Sequence, residues 1–373
     1  MLPNRYLYVM VAETELTSTG LIETPGLPAR TAIPAETQAG LERLVRLRMR
    51  KCLVLLPKIL GADNANAVHD LRVWSRRSQQ VVAMLHPKPA PAVRKILRGL
   101  RQMRRSLSVW RDCDVLIHLL EERLRRVRNP EEKIAWEMVR DRAVRKRERQ
   151  MRRARRSLAK STLFTPAQDG KRLEDQILRQ IDYADTDPRA RLASSIAGAY
   201  ERWRANLSRA GSSGDPADIH AFRIQTKRLR YRIELARDLG DRNTSAPLAC
   251  LKRLQDRLGW WQDRYALAQL CAEALADPRF LFPHARAAAA MLKKLAGLRA
   301  SQSDRIERLV AAIREGAESS ALHDWSAGYC RAPRTGDEIS SPGRNGSAKS
   351  PAHHAAEGTN GKAFDPELDA IDV

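Results

Sequence analysis

The chain has 373 residues, enough to bury one core or two, and none of its apolar runs approaches the roughly 18 residues a membrane helix needs. Its 67 lysines and arginines exceed its 44 aspartates and glutamates by 23, a balance that implies a polyanionic partner such as nucleic acid, an anionic membrane surface or a phosphate polymer. The five cysteines (Cys52, Cys113, Cys250, Cys271, Cys330) are odd in number, scattered and nowhere in a C-x-x-C pair, which argues against a disulfide framework or a zinc site and fits a reducing compartment.

A codon bias toward arginine is the weaker account of the overall charge, and weaker still for arginine clusters with helical spacing. Residues 1–37 hold Pro, Thr, Gly and Glu without periodicity and read as a disordered segment. The apolar stretch "YLYVMVA" inside them is short, follows a single Arg5 and runs into Glu13 rather than a small-residue cleavage site, so a cytoplasmic protein is expected.

From residue 38 to residue 326, Leu/Ala/Arg/Glu segments of helical period alternate with short breakers: "GADNAN" near Gly61, "HPKPAP" near Pro87, "RNPE" near Pro130, "TDP" near Pro188, "GSSGDP" near Gly211 and "DP" near Pro278. No alternating β-branched run interrupts them, which predicts an all-α fold. The tail over residues 331–373 is rich in Gly, Ser, Pro and Ala and reads as disordered.

The helical region contains an internal repeat. His69 and His220, Arg72 and Arg223, Leu100 and Leu251, Leu107 and Leu258, Trp110 and Trp261, and Asp112 and Asp263 are each 151 positions apart. The offset also relates Leu41, Val45 and Leu56 to Leu192, Ile196 and Leu207. Two homologous halves follow, over about residues 38–182 and 188–326, and short loops predict two pseudo-symmetric helical bundles about a pseudo-two-fold axis.

Each half carries a histidine helix, "VHDLRVWSRR" from Val68 and "IHAFRIQTKR" from Ile219. At ~100° per residue, His69, Arg72, Arg76 and Gln79 fall within about a quarter-turn, while Val68, Leu71, Trp74, Val82 and Leu85 take a broader face. His220, Arg223, Lys227 and Arg230 repeat the polar stripe beside Ile219, Phe222, Leu229 and Ile233. One such stripe is ordinarily a solvated face, but solvated faces mix signs, and both of these are positive or neutral. Facing each other, the stripes line one cleft with cations, an arrangement suited to a polyanion and not to stability. Arginine supplies a fixed fork of donors for phosphate oxygens, and histidine a further hydrogen bond.

A second helix adds Arg94, Arg98, Arg101 and Arg105 at helical spacing with Arg104 alongside, and its counterpart carries Lys252, Arg253 and Arg257. Whether these face the cleft or the solvent is left open by the pattern. Downstream, "LSVWRDCDV" and "LGWWQDRYA" place Asp112 and Asp263 where each can form a supporting salt bridge to an arginine of the histidine helix or serve as an ordinary surface ion pair.

These residues resemble the CHAD family, the conserved histidine α-helical domain. The likeness lies in H-x-x-R-x-x-x-R-R at His69–Arg77, H-x-x-R-x-x-x-K-R at His220–Arg228, and the L-[SG]-x-x-[RQ]-D elements ending at Asp112 and Asp263. It covers about residues 38–326. The resemblance implies two helical bundles around a basic cavity that binds inorganic polyphosphate, with targeting to polyphosphate granules in some members. Carried onto matching positions, the binding residues are His69, Arg72, Arg76 and Arg77, and His220, Arg223, Lys227 and Arg228. Arg101, Arg104, Arg230 and Lys252 complete the set expected from the stripes. Ser108 stands where the family often has glycine, and Gln79 stands opposite Arg230, so the first half is expected to grip less tightly. Some relatives carry an N-terminal triphosphate-tunnel domain; residues 1–37 are too short for one, and "ETEL" at Glu13 lacks the lysine expected after its acids.

The alternative reading is a nucleic-acid-binding helical protein, supported by the net charge and by "RDRAVRKRERQMRRARR" from Arg140, although aromatics for base stacking are sparse. An enzymatic role for His69 and His220, as metal ligands or phosphoryl acceptors, is disfavoured because arginines on the stripe repel a cation. No catalytic residue, metal or cofactor is therefore assigned, and no membrane partner is expected.

Overall fold

The computed structural model describes residues 35–86, 88–160, 169–179, 181, 188–315 and 317–331. Among them regular structure is entirely helical: α1 (Ala35–Gly61), α2 (Ala65–Leu85), α3 (Pro91–Ser106), α4 (Ser108–Arg126), α5 (Pro130–Ala159), α6 (Asp169–Leu178), α7 (Pro188–Ser213), α8 (Pro216–Asp238), α9 (Ser245–Leu275), α10 (Pro278–Leu281), α11 (Ala285–Glu315) and α12 (Ala317–Arg331). The first helix starts three residues before the expected boundary and the last continues to Arg331. Most of both terminal segments, and the link between the halves at 182–187, lie outside the described residues.

The 151-residue offset carries into the elements. α1, α2, α5 and α6 correspond to α7, α8, α11 and α12, and α3 with α4 corresponds to the single helix α9. Both histidine helices start from the same device at the same offset. Asn64 accepts from the Ala67 N–H, and Asp215 from the Ala217 N–H, satisfying amides that the first turn leaves without partners. The copies differ at Leu107, where α3 gives way to α4; at Leu258 the helix runs through. Ser108 marks the break, its hydroxyl donating to the Arg104 carbonyl at 3.1 Å. Such back-bonding competes with the helical ladder, and Gly259 at the equivalent position has no side chain to do it.

Pairwise packing repeats as well: α1 on α2, α2 on α3, α4 on α5 and α1 on α6 are matched by α7 on α8, α8 on α9, α9 on α11 and α7 on α12. The apolar residues nevertheless do not sort by repeat. One large core joins α1–α3, the start of α4, the end of α5 and α6 to α7, α8, the first half of α9, the second half of α11 and α12, and includes Leu71, Trp110, Trp203, Phe222 and Trp261. A smaller core holds α4 and α5 against the end of α9 and α11 around Trp136, Cys271 and Met291. Each repeat therefore depends on the other for its interior, and α2 and α8 are held in contact by burial on both sides. A buried Trp203–Thr226 hydrogen bond of 3.2 Å adds to the α7–α8 contact.

Candidate functional site

The apolar faces of α2 and α8 are fixed in the large core through Val68, Leu71, Val82 and Leu85, and Ile219, Phe222, Leu229 and Ile233. That orientation leaves the polar stripes at the edge of the core. His69, Arg72, Arg76, Arg77, Arg223, Lys227 and Arg230 are all half-buried, whereas His220 and Arg228 are exposed.

The stripes of the two repeats feel each other. Burial pushes Lys227 well below its ordinary value, and Arg223 of its own helix together with Arg76 and Arg72 of α2 push it further down. Burial lowers Arg72, which Asp112 supports while Arg76, Arg111 and Arg223 oppose it. Burial lowers Arg223 too, supported by Asp263 and Asp112 against Arg76. The His69 imidazole is held below its usual range by burial, with Arg111, Arg72 and Lys227 adding to the effect and Asp70 opposing it. Arg72, Arg76 and Arg111 of the first repeat and Arg223 and Lys227 of the second thus share one small region. Among the described residues Asp112 closes no ion pair within 4.0 Å and acts through space; burial raises its carboxyl above the usual range against the pull of Arg72, Arg223 and Lys227, yet it keeps an exposed surface. Asp112 pulls electrostatically on Arg72, and Asp263 and Asp112 on Arg223.

Behind the stripes, repeat-related residues pair with their roles exchanged. Arg104 of α3 donates to Gln79 of α2 at 2.7 Å, and Arg230 of α8 donates to Gln255 of α9 at 3.2 Å. Gln79 and Arg230, and likewise Arg104 and Gln255, are equivalent at the 151-residue offset. Each half therefore has one arginine and one glutamine at the same contact. The charge that Gln79 lacks stands on Arg104, so the expected weakness of the first half loses its basis. Burial, with Arg76, Arg72 and Arg101 nearby, lowers the Arg104 guanidinium to about 10. Similarly, His220 pairs with Gln262 at 2.9 Å, while Arg111, equivalent to Gln262, acts electrostatically on His69.

Two expected ligands of the polyanion carry internal duties. Arg77 and Arg230 meet on buried Glu234 at 3.2 and 3.0 Å, which joins α2 to α8. Buried Arg48 of α1 donates to the Arg77 carbonyl at 3.0 Å and to Asp238 of α8 at 2.6 Å. Arg76 lies over the Tyr231 ring, 5.5 Å from its centre. Replacing the acid by its isostere, Glu234→Gln, leaves two half-buried cations without their counter-charge, and is expected to cost about 2 kcal/mol of stability. Urea unfolding checks this; an unchanged midpoint would mean that the bridge is incidental.

Arg101 and Lys252, equivalent at the 151-residue offset, are exposed on α3 and α9. Cys52, Cys113 and Cys271 are buried thiols pushed up by burial to about 12, 11 and 12, which deprives them of nucleophilic character at neutral pH. Among the described residues no three His, Cys, Asp or Glu side chains group in a way that could hold a metal, and no helix is long and apolar enough to cross a membrane.

Sequence reasoning missed Glu234, Gln255, Gln262 and Arg111. Glu234 had a local signal, an acid four residues after Arg230 within an otherwise apolar stretch. Arg111 and Gln262 fill the [RQ] place of the doubled element that ends at Asp112 and Asp263, whereas Gln255 had no signal, because its significance lies in the helix it faces.

A family model for the CHAD domain matches residues 43–272. The crystal structure of the CHAD domain from the plant Ricinus communis is similar with a TM-score of 0.54 at 19% identity, covering 78% of this chain and 97% of that one. No curated protein matches.

Proposed function

The chain belongs to the CHAD domain family, which is associated with polyphosphate binding, and we propose that it binds inorganic polyphosphate in a basic recess between α2 and α8. The observation that carries this reading is that burial depresses Arg72, Arg223 and Lys227 and that cations of the other repeat depress each of them further: Arg223 acts on Arg72, Arg76 on Arg223, and Arg76 and Arg72 on Lys227. Close like charges repel by ~1–4 kcal/mol per pair depending on the local dielectric. A polyanion relieves that repulsion in proportion to the cations it touches, and arginine forks match its oxygens. The exposed yet raised carboxyl of Asp112 fits a group on the floor of a recess that is open to solvent. The repeat-related Arg–Gln pairs support a pseudo-two-fold axis through it.

The reading is of a binding module and not an enzyme, placed in the cytoplasm and recruited to polyphosphate granules. Nucleic acid is the weaker candidate for the recess. Trp110 and Trp261 are buried, while Arg77 lies over Trp74 and Arg264 over Trp260, so stacking surface for a base is sparse.

The test is competition. Long polyphosphate is expected to displace duplex DNA from the purified protein at equal charge concentration and fixed salt. Saturating polyphosphate should also stabilise the fold, by ~2.7 kcal/mol at a hundredfold excess over the dissociation constant. Equal or stronger retention of DNA would overturn the reading in favour of nucleic acid.

A further inference from the structure

The outer faces of α3 and of the second half of α5 carry a cationic surface that the fold does not require. Arg145, Arg149, Arg152, Arg156 and Lys160 follow one another at spacings of three or four residues, and all are exposed. They form a stripe about 22 Å long at 1.5 Å per residue. Their partners among the described residues are few. Glu148 stands 3.9 Å from Arg152 in a loose pair, and Arg156 bonds only the Arg152 carbonyl. By contrast the inward cations of this helix are engaged: Arg147 is held by Asp63 and Asp114, and Arg155 donates to the Ile59 carbonyl while lying over Trp110.

The second repeat serves as an internal control. Residues 145–160 hold nine cations and one acid, net +8, whereas the equivalent residues 296–311 hold three cations and two acids, net +1. Ala296, Ala300, Ser303, Glu307 and Ala311 stand where the stripe stands and are equally exposed. The same helix position with the same solvation is thus filled without positive charge. The fold alone does not explain the arginines.

The stripe also connects with the recess. α3 contains no acid, and its exposed Arg94, Arg98, Arg101 and Arg105 run along one side, where Pro89, Pro91, Arg94, Leu97, Arg98 and Arg101 line a shallow depression. Arg101 is close enough to act on Arg104, which in turn feels Arg72 and Arg76. At the other end of α3, Ser106 meets Ser157 of α5 at 3.1 Å, so the helices touch at the residues that follow Arg105 and Arg156 in the chain. Cations therefore recur from the α2–α8 stripes over α3, which carries no acid, to α5.

We propose that α3 and the second half of α5 form an outer track that holds the continuation of a long polyphosphate chain whose other part occupies the recess. The proposal rests on the polyphosphate reading of the recess and adds chain-length discrimination to it. A flexible, single-stranded polyanion can follow cations from a recess onto a convex helix face. A rigid duplex can lie only on the outer face. Tethering by the recess raises the effective concentration of chain at the track, so long chains gain affinity that short ones do not.

The experiment compares chains of about ten and about a hundred phosphates on wild type and on Arg145→Ala/Arg149→Ala/Arg152→Ala/Arg156→Ala, with circular dichroism as the folding control. The variant is expected to bind the long chain at least tenfold more weakly, with a salt slope shallower by about 3, at ~0.7 per lost contact on a single strand. Its affinity for the short chain should match wild type. Arg223→Ala/Lys227→Ala should weaken both chains. Equal losses for both chain lengths, or no loss for the long one, would overturn the track. So would a variant that keeps long polyphosphate and loses duplex DNA, because the stripe would then be a nucleic-acid surface. If wild type binds neither chain, the recess reading itself fails and the track with it.

Discussion

Arg72→Ala/Arg76→Ala and Arg223→Ala/Lys227→Ala should each lower polyphosphate affinity at least tenfold, by similar factors and without changing the stoichiometry. Charge-assisted contacts are worth ~1.5–3 kcal/mol each, so the loss of two exceeds a tenfold effect even when one is made indirectly. Similar factors are expected because the two halves are matched at their contacts. Arg230 stands where the first half has Gln79, but Arg104 stands where the second has Gln255, and each arginine bonds the glutamine of its own half. Unchanged stoichiometry is expected because Lys227 is influenced by Arg72 and Arg76 across the repeat boundary, as one shared region requires. Titration of both double variants, with circular dichroism as the folding control, decides the matter. Wild-type affinity at half the stoichiometry would mean two separate sites.

That expectation replaces the ranking the sequence suggests, and the reason shows where legibility stops. The offset of 151 is visible because identical residue types recur at identical spacing, and it led to His69, His220 and the stripes around them. The exchange of arginine and glutamine is written in the same letters, yet it has meaning only once position 79 is known to meet position 104 on another helix. Periodicity reports which face is covered and not what covers it. For the same reason the shared interior of the repeats was not legible: Leu71 and Phe222 announce buried faces, but nothing in their spacing says that both enter one core. Charge has the same limit. Arg104 and Arg105 are neighbours in the chain, and only the fold sets one against Gln79 and leaves the other in solvent.

Lys227→Met should make the protein more stable and a poorer binder at once. In the folded chain the ammonium is pushed well below its ordinary value, by burial first and then by Arg223, Arg76 and Arg72. The unfolded chain therefore binds more protons between the two values, and stability conferred through this site rises with pH across that window. Below the folded value the full penalty is present. A methionine of similar length removes both desolvation and repulsion, which is expected to add about 1 kcal/mol of stability, measured by thermal unfolding without ligand. Bound polyphosphate acts in the opposite direction, because its negative charge raises the Lys227 value toward normal. Binding then takes up a proton in that window, and affinity weakens as the pH rises through it. Wild type should show this weakening, and calorimetry in buffers of different ionisation enthalpy should show the proton uptake. Lys227→Met should show neither, with affinity about tenfold lower at the pH where wild type is fully charged. A variant that is destabilised and binds with unchanged affinity and pH dependence would make Lys227 a structural residue, and the cationic recess would lose its central member.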